Sequence, residues 1–348
     1  MIHFECDYLE GCHPSILRKL EETNSEQTLG YGEDPHCEHA REMIRLICDA
    51  PHADVHFLVG GTQTNVTVIS SILRPHQAVV CASSGHINVH ETGAVEHSGH
   101  KVIALPATCG KISADQIRAA FEGHFTDPNA EHMAQPAMVY ISYSTEFGTI
   151  YSKRELLAIK QVCSDWEAPL FIDGARLGYG LESSKADVLL KDIAAIADVF
   201  YIGGTKQGAL FGEAVVITDD ALKKDFRYHI KQNGGMLAKG RLLGIQFEAL
   251  MEGGLYFKLA RTADRLAERI ASAFRDAGFP FLEEGCTNQV FPVLPNDVAA
   301  ELSKDFGYEQ WQIVDETHTG VRFCTSWATT PEQVDTLVAA ISRIKSKH

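Results

Sequence analysis

Apolar and polar positions alternate in two different rhythms from about residue 54 onward. Short apolar runs bounded by turn residues predict strands, at residues 55–59, 78–81, 101–105, 137–142, 169–173 and 198–202. Longer stretches with an apolar residue every three or four positions predict helices, at residues 62–73, 113–121, 153–166 and 187–196. Strands that alternate with helices in this way favour an α/β fold with a mostly parallel sheet.

This alternation ends after residues 214–218, which predict an antiparallel or edge strand. A Gln-Asn-Gly-Gly turn at 232–235 then precedes long helical patterns at 239–252 and 255–277. The remaining stretch predicts strands near 289–294, 311–314 and 320–324 and a closing helix from Pro331. We therefore expect a large domain over residues 1–245, which includes the N-terminal segment, and a small α+β domain over residues 246–348.

Two charged residues stand at the ends of neighbouring predicted strands. Lys206 lies in the run Gly-Gly-Thr-Lys-Gln-Gly at 203–208, and Asp173 ends the strand at 169–173. Their spacing of 33 positions fits one strand-to-strand crossover, which returns both side chains to the same edge of a parallel sheet. A desolvated lysine can form a Schiff base with a cofactor aldehyde, and an aspartate can face a pyridine nitrogen. The pair predicts a pyridoxal phosphate site, and the competing interpretation is a local turn in which Asp173 pairs with Arg176.

A glycine-rich turn, Gly60-Gly61-Thr62, joins the strand at 55–59 to the helix at 62–73. Backbone N–H groups at such a helix start form a phosphate cup, although many turns of this kind only cap a helix. The sequence lacks the G-x-x-x-x-G-K-[S/T] order of a nucleotide P-loop, and no Gly-x-Gly-x-x-Gly opens the first helix. Neither ATP nor NAD is therefore favoured.

Two further residues are candidates for contacts with small molecules. His86 follows the strand at 78–81, where its ring could stack on a planar cofactor or simply lie on a surface loop. Arg322 alternates with apolar neighbours on a strand of the small domain, so its guanidinium needs a carboxylate partner. That partner is either an amino-acid substrate or a carboxylate of the protein itself.

Composition narrows the classes of protein and partner. The chain has 46 acidic and 31 basic residues among 348, a formal charge of −15, which disfavours nonspecific binding to nucleic acid or anionic membrane. Nine cysteines without a Cys-x-x-Cys pair argue against a disulfide framework or zinc ribbon, and we expect no metal site. The N-terminal residues lack the pattern of a signal peptide, so we expect a cytoplasmic protein.

In this order and spacing, several sequence blocks resemble the threonine aldolase group of β-eliminating lyases, and the similarity runs through nearly the whole chain. The blocks are Tyr31-Gly32-Glu33-Asp34-Pro35, Gly61-Thr62-Gln63-Thr64-Asn65, His86 with Glu91-Thr92-Gly93, Asp173-Gly174-Ala175-Arg176, Thr205-Lys206, Thr287-Asn288 and Val321-Arg322. The resemblance implies the aspartate-aminotransferase fold of fold-type I pyridoxal phosphate enzymes, with a large sheet of the seven-stranded type. It also implies a homodimer or a homotetramer.

The resemblance implies a role for each matched residue. Lys206 would be the Schiff-base lysine, and catalytic roles fall to Lys206, His86 and Asp173. Cofactor contacts are implied for Gly61, Thr62, His86, Asp173, Thr205 and Lys206. Substrate contacts are implied for Arg176, Arg322 and Tyr31, with the two arginines on the substrate carboxylate. The family's Gly-Gly-Met segment is retained at 234–236, but the basic residues around it are offset from the family pattern, which leaves Lys231, Lys239 and Arg241 only as candidates for cross-subunit phosphate contacts.

The implied reaction cleaves the Cα–Cβ bond of L-threonine or L-allo-threonine and releases glycine and acetaldehyde. It needs a base near the β-hydroxyl, for which His86, or a water that it positions, is the candidate. His132, just before the strand at 137–142, is a second candidate histidine. The rivals are a β-elimination that releases ammonia and a 2-oxo acid, and a catalytically weak pyridoxal phosphate-binding protein.

Substrate-facing loops depart from the family's usual pattern. Its Ser-Asp pair near the amino terminus becomes Cys6-Asp7, and its Glu-Asn-Thr-His segment becomes Tyr143-Ser144-Thr145-Glu146. The serine often found before the lysine is Thr205.

Overall fold

The computed structural model describes residues 1–345. It opens with a short strand and two helices: β1 (Ile2–His3), α1 (Pro14–Glu22) and α2 (Pro35–Ile47). Helix α2 begins where it does because the Asp34 side chain accepts a hydrogen bond from the Cys37 N–H, at 2.8 Å, and Pro35 occupies the first helical position.

Strands and helices then alternate through the region that the sequence predicted to be α/β. In chain order they are β2 (Asp54–Leu58), α3 (Gly61–Ile72), β3 (Gln77–Ala82), α4 (His86–Val89), α5 (Ala94–His97), β4 (Lys101–Leu105), α6 (Ala114–Phe125), β5 (Gln135–Ser142), α7 (Lys153–Asp165), β6 (Leu170–Asp173), α8 (Leu177–Glu182), α9 (Leu190–Ile196), β7 (Val199–Gly203) and β8 (Glu213–Ile217). The 3₁₀ turn Ala130–His132 lies between α6 and β5. The predicted elements all form, with bounds that differ by a few residues.

These strands make one seven-stranded sheet in the order β2-β8-β7-β6-β5-β3-β4. Strand β8 runs antiparallel to both of its neighbours, β2 and β7, and the other six strands are parallel to one another. The antiparallel direction of β8 agrees with the sequence prediction, but an edge position does not. Strand β2 pairs along the full length of β8 and takes the edge, which leaves every residue of β8 buried.

Helices cover both faces of the sheet, so its central strands are apolar on both sides. Along β7, Phe200 and Ile202 enter one hydrophobic cluster, while Val199 and Tyr201 enter the cluster on the opposite face. This alternation follows from the two-residue side-chain period of a strand. The predicted α/β fold class is therefore confirmed.

The second half of the chain consists of long helices followed by a small antiparallel sheet. Its elements are α10 (Phe226–Gln232), α11 (Arg241–Met251), α12 (Leu255–Asp276), β9 (Gln289–Val290), β10 (Val293–Pro295), α13 (Asn296–Leu302), β11 (Phe306–Gly307), β12 (Glu309–Ile313), β13 (His318–Cys324) and α14 (Pro331–Lys345). Short 3₁₀ turns occupy Asp220–Leu222 and Glu252–Gly254. The predicted strand near 289–294 is two short strands, β9 and β10, which pair with different parts of β13.

A separate hydrophobic cluster joins α12, α14 and the small sheet, and it includes the N-terminal residue Phe4. Strand β1 pairs in parallel with β11, which ties the start of the chain to this C-terminal region. The domain division near residue 245 stays a prediction, and residues 1–4 pack with the C-terminal side of it. Among residues 1–345, no helix combines the length and hydrophobicity needed to cross a bilayer, and no group of three metal-ligating side chains is arranged around an ion site.

Candidate active site

A cavity of about 300 Å³ lies at the carboxyl ends of the central strands. The ends of β5, β6 and β7, the start of α3 and the start of β8 all contribute to its wall. Of the nine residues to which the resemblance gives catalytic, cofactor or substrate roles, seven line it: Gly61, Thr62, His86, Asp173, Arg176, Thr205 and Lys206. The other two, Tyr31 and Arg322, lie outside its lining.

Asp173 ends β6 with its carboxylate buried and held by neutral donors. Its Oδ2 atom accepts hydrogen bonds from the Tyr140 hydroxyl at 2.5 Å and the Asn65 amide at 3.1 Å, and Oδ1 accepts from the Ala175 N–H at 2.9 Å. Burial alone would raise the pKa of Asp173, but nearby His86 and these donors hold that pKa below its ordinary value. Asp173 is therefore a buried anion that faces the cavity and has no cation among its hydrogen-bond partners.

His86 begins α4 and is oriented by a second carboxylate. Its Nδ1 atom lies 2.7 Å from Glu91 Oε1, and the same oxygen accepts from Asn65 Nδ2 at 2.7 Å. Because Asn65 also bonds Asp173, one hydrogen-bonded chain connects the imidazole to the buried aspartate. With Nδ1 tied to Glu91, Nε2 is the ring atom left for a ligand.

The start of α3 offers backbone N–H groups to the cavity. Gly60 is the N-cap, and no side chain caps this helix, so the first N–H groups lack the usual side-chain acceptor. Gly61 and Thr62 line the cavity at this point. A 12-residue helix directs the positive end of its dipole there, an arrangement suited to a phosphate group.

Lys206 lies in the turn that follows β7, next to the end of β6. The two strand ends approach so closely that a Cβ on Gly174 would lie 1.7 Å from the Tyr201 carbonyl oxygen, and one on Gly203 would lie 2.6 Å from the Gly174 carbonyl oxygen. Glycine at both positions is what lets the ends of β6 and β7 meet. Burial, reinforced by the positive charge of Arg176, lowers the pKa of the Lys206 amine.

Arg176 is committed to a carboxylate of the protein itself. Its Nε and Nη2 atoms bond Asp7 Oδ2 and Oδ1 at 2.8 and 3.0 Å, and Asn288 donates to Asp7 Oδ2 at 2.8 Å. Burial would raise the pKa of Asp7, but Arg176 and Lys206 lower it to about 2. Asp173 does not pair with Arg176 in this arrangement, contrary to the local-turn interpretation, because one edge of the guanidinium faces Asp7.

Arg322 and Tyr31 have other surroundings. Arg322 bonds Glu309, donates to the Glu5 carbonyl oxygen at 3.0 Å and lies over the Trp311 ring at 4.9 Å. This is the pairing within the protein that the sequence left open. Tyr31 is half exposed, and Lys231 Nζ lies 5.0 Å from the centre of its ring.

The sequence model of the β-eliminating lyase family matches residues 14–296. The chain belongs to the β-eliminating lyase family. A low specificity L-threonine aldolase from Pseudomonas sp. (strain NCIMB 10558) is 28% identical to it, over 99% of this chain and 98% of the relative. The structure of a Leishmania major threonine aldolase matches with a TM-score of 0.96 and 42% identity, over 99% and 100% of the two chains. The predicted family is thus confirmed, and this member of it is a lyase.

A more distant likeness shows the fold alone. A Thermus thermophilus aspartate aminotransferase variant matches with a TM-score of 0.73 at 14% identity, over 99% of this chain and 91% of that one. This agrees with the aspartate-aminotransferase fold that the sequence blocks implied.

The candidate histidine His132 is wrong for a role in this cavity. It lies in the exposed 3₁₀ turn Ala130–His132, just before the amino end of β5. The cavity lies at the carboxyl end of β5, where Ser142 lines it. The length of the strand therefore separates His132 from the cavity. Strand direction, which was already predicted, would have excluded this residue.

Two buried carboxylates of this family member lie in the cavity without having been predicted. Glu146 Oε1 accepts hydrogen bonds from the backbone N–H of His86 at 3.0 Å and from the Ser142 hydroxyl at 2.7 Å. Burial raises the pKa of the Glu146 carboxyl. Glu213 opens β8 beside the Lys206 turn. The substitution of Glu146 into a family segment was visible in the sequence, whereas Glu213 fell one residue before the predicted strand.

Proposed function

We propose that this lyase is a pyridoxal phosphate-dependent aldehyde-lyase that cleaves L-threonine and L-allo-threonine into glycine and acetaldehyde. One observation carries the proposal: Lys206 and the buried anion Asp173 line one cavity with the uncapped start of α3. The full-length relative from Pseudomonas and the structure from Leishmania major are both named threonine aldolases.

The residues of the cavity fit this cofactor. The N–H groups at Gly61 and Thr62 suit a phosphate, and Asp173 suits a protonated pyridine nitrogen because its charge has no cationic hydrogen-bond partner. Lys206 suits the aldehyde, since its lowered pKa favours a nucleophilic neutral amine. The Ser144 hydroxyl also lines the cavity, and its oxygen is buried without a hydrogen-bond partner in the described chain.

The Thr205 hydroxyl, assigned to the cofactor by the resemblance, already has partners on both sides. It donates to Glu213 at 2.8 Å and accepts from the Gly212 N–H at 3.0 Å. A hydroxyl carries one hydrogen, so a bond from Thr205 to a phosphate requires that Glu213 release it. We propose that Thr205 orients the lysine turn, with any direct phosphate contact secondary to that.

Bound in this cavity, pyridoxal phosphate supplies an electron sink for the charge left at the substrate α-carbon. Asp173 would stabilise a positive charge on the pyridine nitrogen, because its own negative charge persists at neutral pH. His86 supplies Nε2 as the proton acceptor for the β-hydroxyl, since Glu91 fixes the ring through Nδ1. Arg176 presents the guanidinium edge that Asp7 leaves open to the substrate carboxylate, with Arg322 and Tyr31 as the further proposed substrate contacts.

We further propose a cytoplasmic homodimer or homotetramer. Large apolar side chains are exposed close together in sequence near the amino terminus: Tyr8, Leu9, Leu17, Leu29 and Tyr31. Exposed apolar surface of this extent supports association with a second copy of the chain. All nine cysteines are unpaired, which fits a reducing compartment. Light scattering coupled to size exclusion tests the assembly, and a monomeric mass would contradict it.

Product analysis tests the proposed reaction. The full chain, loaded with pyridoxal phosphate, is mixed with L-threonine or L-allo-threonine, and Lys206→Ala serves as the blank. The proposal expects glycine and acetaldehyde in equal amounts, both dependent on Lys206. Ammonia with a 2-oxo acid would instead establish β-elimination, and no product dependent on Lys206 would overturn the proposed function.

A further inference from the structure

Glu213 is a buried carboxylate that grips the turn carrying Lys206. Its Oε1 atom accepts the Thr205 hydroxyl at 2.8 Å, and its Oε2 atom accepts the Gly204 N–H at 3.1 Å. These are the two residues directly before Lys206. Both carboxylate oxygens are therefore used to fix the backbone from which the lysine extends.

The position of Glu213 is itself rigid. Its backbone pairs with Gly203 of β7 and with Leu58 of β2, so strands hold it on both sides. The residue is 3% exposed and still lines the cavity that contains Lys206. A displacement of the Lys206 turn would strain two hydrogen bonds to a carboxylate whose backbone is fixed in the sheet.

The two hydrogen bonds alone do not offset the cost of burying a negative charge on Glu213. Neither hydrogen-bond donor is charged, and a buried carboxylate without a cation is costly. The groups that face it electrostatically are Lys206, Asp173, Tyr201 and Tyr256, of which only Lys206 is basic. Burial raises the pKa of Glu213 to about 8, although the Thr205 hydrogen bond and the positive charge of Lys206 oppose that rise, so the carboxyl becomes fully ionised only in the alkaline range where lysine amines also titrate.

Lys206 in turn experiences charges of both signs. Arg176 lowers the pKa of its amine together with burial, while Asp7, Asp173 and Glu213 raise it. The Tyr8 ring lies 6.0 Å from its Nζ atom. Asp7 is bonded to Arg176, and Asp173 is held by neutral donors from β5, from α3 and from the turn after β6. Glu213 differs from these two carboxylates because it also bonds the two residues directly before the lysine.

We propose that Glu213 is a positioning residue for Lys206, whose carboxyl group both fixes the turn at residues 204–206 and sets the charge of the Lys206 amine. This inference rests on the proposed function only in taking Lys206 as the cofactor attachment point. The titration of Lys206 distinguishes this role from a purely structural one. A structural residue would hold the turn without changing the pKa of the lysine amine.

The test measures how the Lys206 amine titrates in the full chain freed of cofactor by dialysis against L-cysteine. Brief labelling with acetic anhydride over a pH series, followed by mass spectrometry of the Lys206 peptide, gives the midpoint of amine reactivity. In Glu213→Gln, which keeps hydrogen-bonding atoms but removes the negative charge, we expect the midpoint to fall by about one pH unit or more. The neutral fraction of the amine below the midpoint then rises about tenfold.

Two matched variants separate charge from hydrogen bonding. Glu213→Asp keeps the charge and shortens the reach, so we expect a midpoint closer to wild type than that of Glu213→Gln. Thr205→Val removes one hydrogen bond but keeps the carboxylate, so its midpoint should also stay closer to wild type. A Glu213→Gln midpoint equal to wild type, with weakened cofactor binding, would overturn the charge role and leave a structural one.

If Glu213→Gln does not fold, the pH titration of Lys206 in the wild-type protein still tests the proposal. Two groups that interact strongly titrate in two linked steps, so the reactivity of Lys206 should deviate from a single-site curve. A single-site curve would contradict the proposal. Failure of the proposed function looks different, because wild-type protein would then form no borohydride-fixed cofactor adduct at Lys206 whatever the titration shows.

Discussion

The two walls of the cavity treat charge in opposite ways. On the strand-end wall, Asp173 is a buried anion whose hydrogen-bond partners are a phenol, an amide and a backbone N–H, all neutral. On the second wall, where Arg176 meets the N-terminal segment, Asp7 of that segment neutralises the arginine through two hydrogen bonds. Asp173 is therefore hydrogen-bonded by neutral donors alone, whereas Arg176 has a carboxylate of the protein as its direct partner.

The two arginines assigned to the substrate carboxylate extend this comparison. Arg176 pairs with a fully buried carboxylate, while the Glu309 side chain that pairs with Arg322 is 44% exposed. A substrate carboxylate must share Arg176 with Asp7, but it can compete with water-exposed Glu309 for Arg322. The difference predicts that Arg176 mainly fixes the architecture of the site and that Arg322 is the more exchangeable contact.

The largest expected effect comes from removing the lysine of the strand-end wall. Lys206→Ala should lower aldol cleavage by at least ~10³-fold, because no other side chain of the cavity supplies a nucleophilic amine. Glycine formation measured by chromatography checks this. Lys304→Ala, at an exposed lysine paired with Glu301, is the control and should keep full activity. Activity of Lys206→Ala within tenfold of wild type would remove the lysine from the mechanism.

The next effect comes from neutralising the anion on the same wall. Asp173→Asn should retain bound cofactor but lower kcat by ~10³-fold, equivalent to about 4 kcal/mol, because the nitrogen loses its negative partner. Cofactor absorbance and kcat are measured on the same sample. Full activity with bound cofactor would show that the charge of Asp173 is not needed.

Removing the counter-charge on the opposite wall should act on stability. Asp7→Asn leaves Arg176 buried without a carboxylate, so the free energy of unfolding should fall by about 3–5 kcal/mol. Glu309→Gln removes a half-exposed partner and should cost about 1 kcal/mol or less. Urea unfolding of both variants compares them directly. Equal losses would contradict the difference between the two arginine pairs.

The pH dependence of the Asp7 contribution is a smaller effect than the loss expected from Asp7→Asn. The folded-state pKa of Asp7, about 2, lies below its unfolded value of 3.8, so the carboxylate stabilises the fold above about pH 4. This contribution, about 2 kcal/mol, is lost as the pH falls from about 4 to 2. Unfolding measured across that range should show a steeper loss for wild type than for Asp7→Asn. If the two pH profiles were parallel, the pKa of Asp7 in the folded protein would not be lower than in the unfolded chain.

Local sequence patterns were sufficient to predict most of the fold and one wall of the site. Lys206 and Asp173 could be found because Asp173 ends one apolar strand and Lys206 follows the next. Parallel strands place their carboxyl ends together. The counter-charges could not be found in this way. Asp7 and Arg176 are 169 positions apart, and nothing in the local pattern of either residue specifies the other. Glu213 was missed because the apolar run on β8 starts at Ala214, so the predicted strand excluded the residue that faces the cavity.

Chemical fixation of the bound cofactor tests the central claim most directly. The full chain loaded with pyridoxal phosphate is reduced with borohydride, digested and analysed by mass spectrometry. The presence of Lys206 and Asp173 in one cavity predicts one stable adduct, on the peptide that contains Lys206, and none in Lys206→Ala. An adduct on another lysine, or an undiminished adduct in Lys206→Ala, would contradict the site described for this protein.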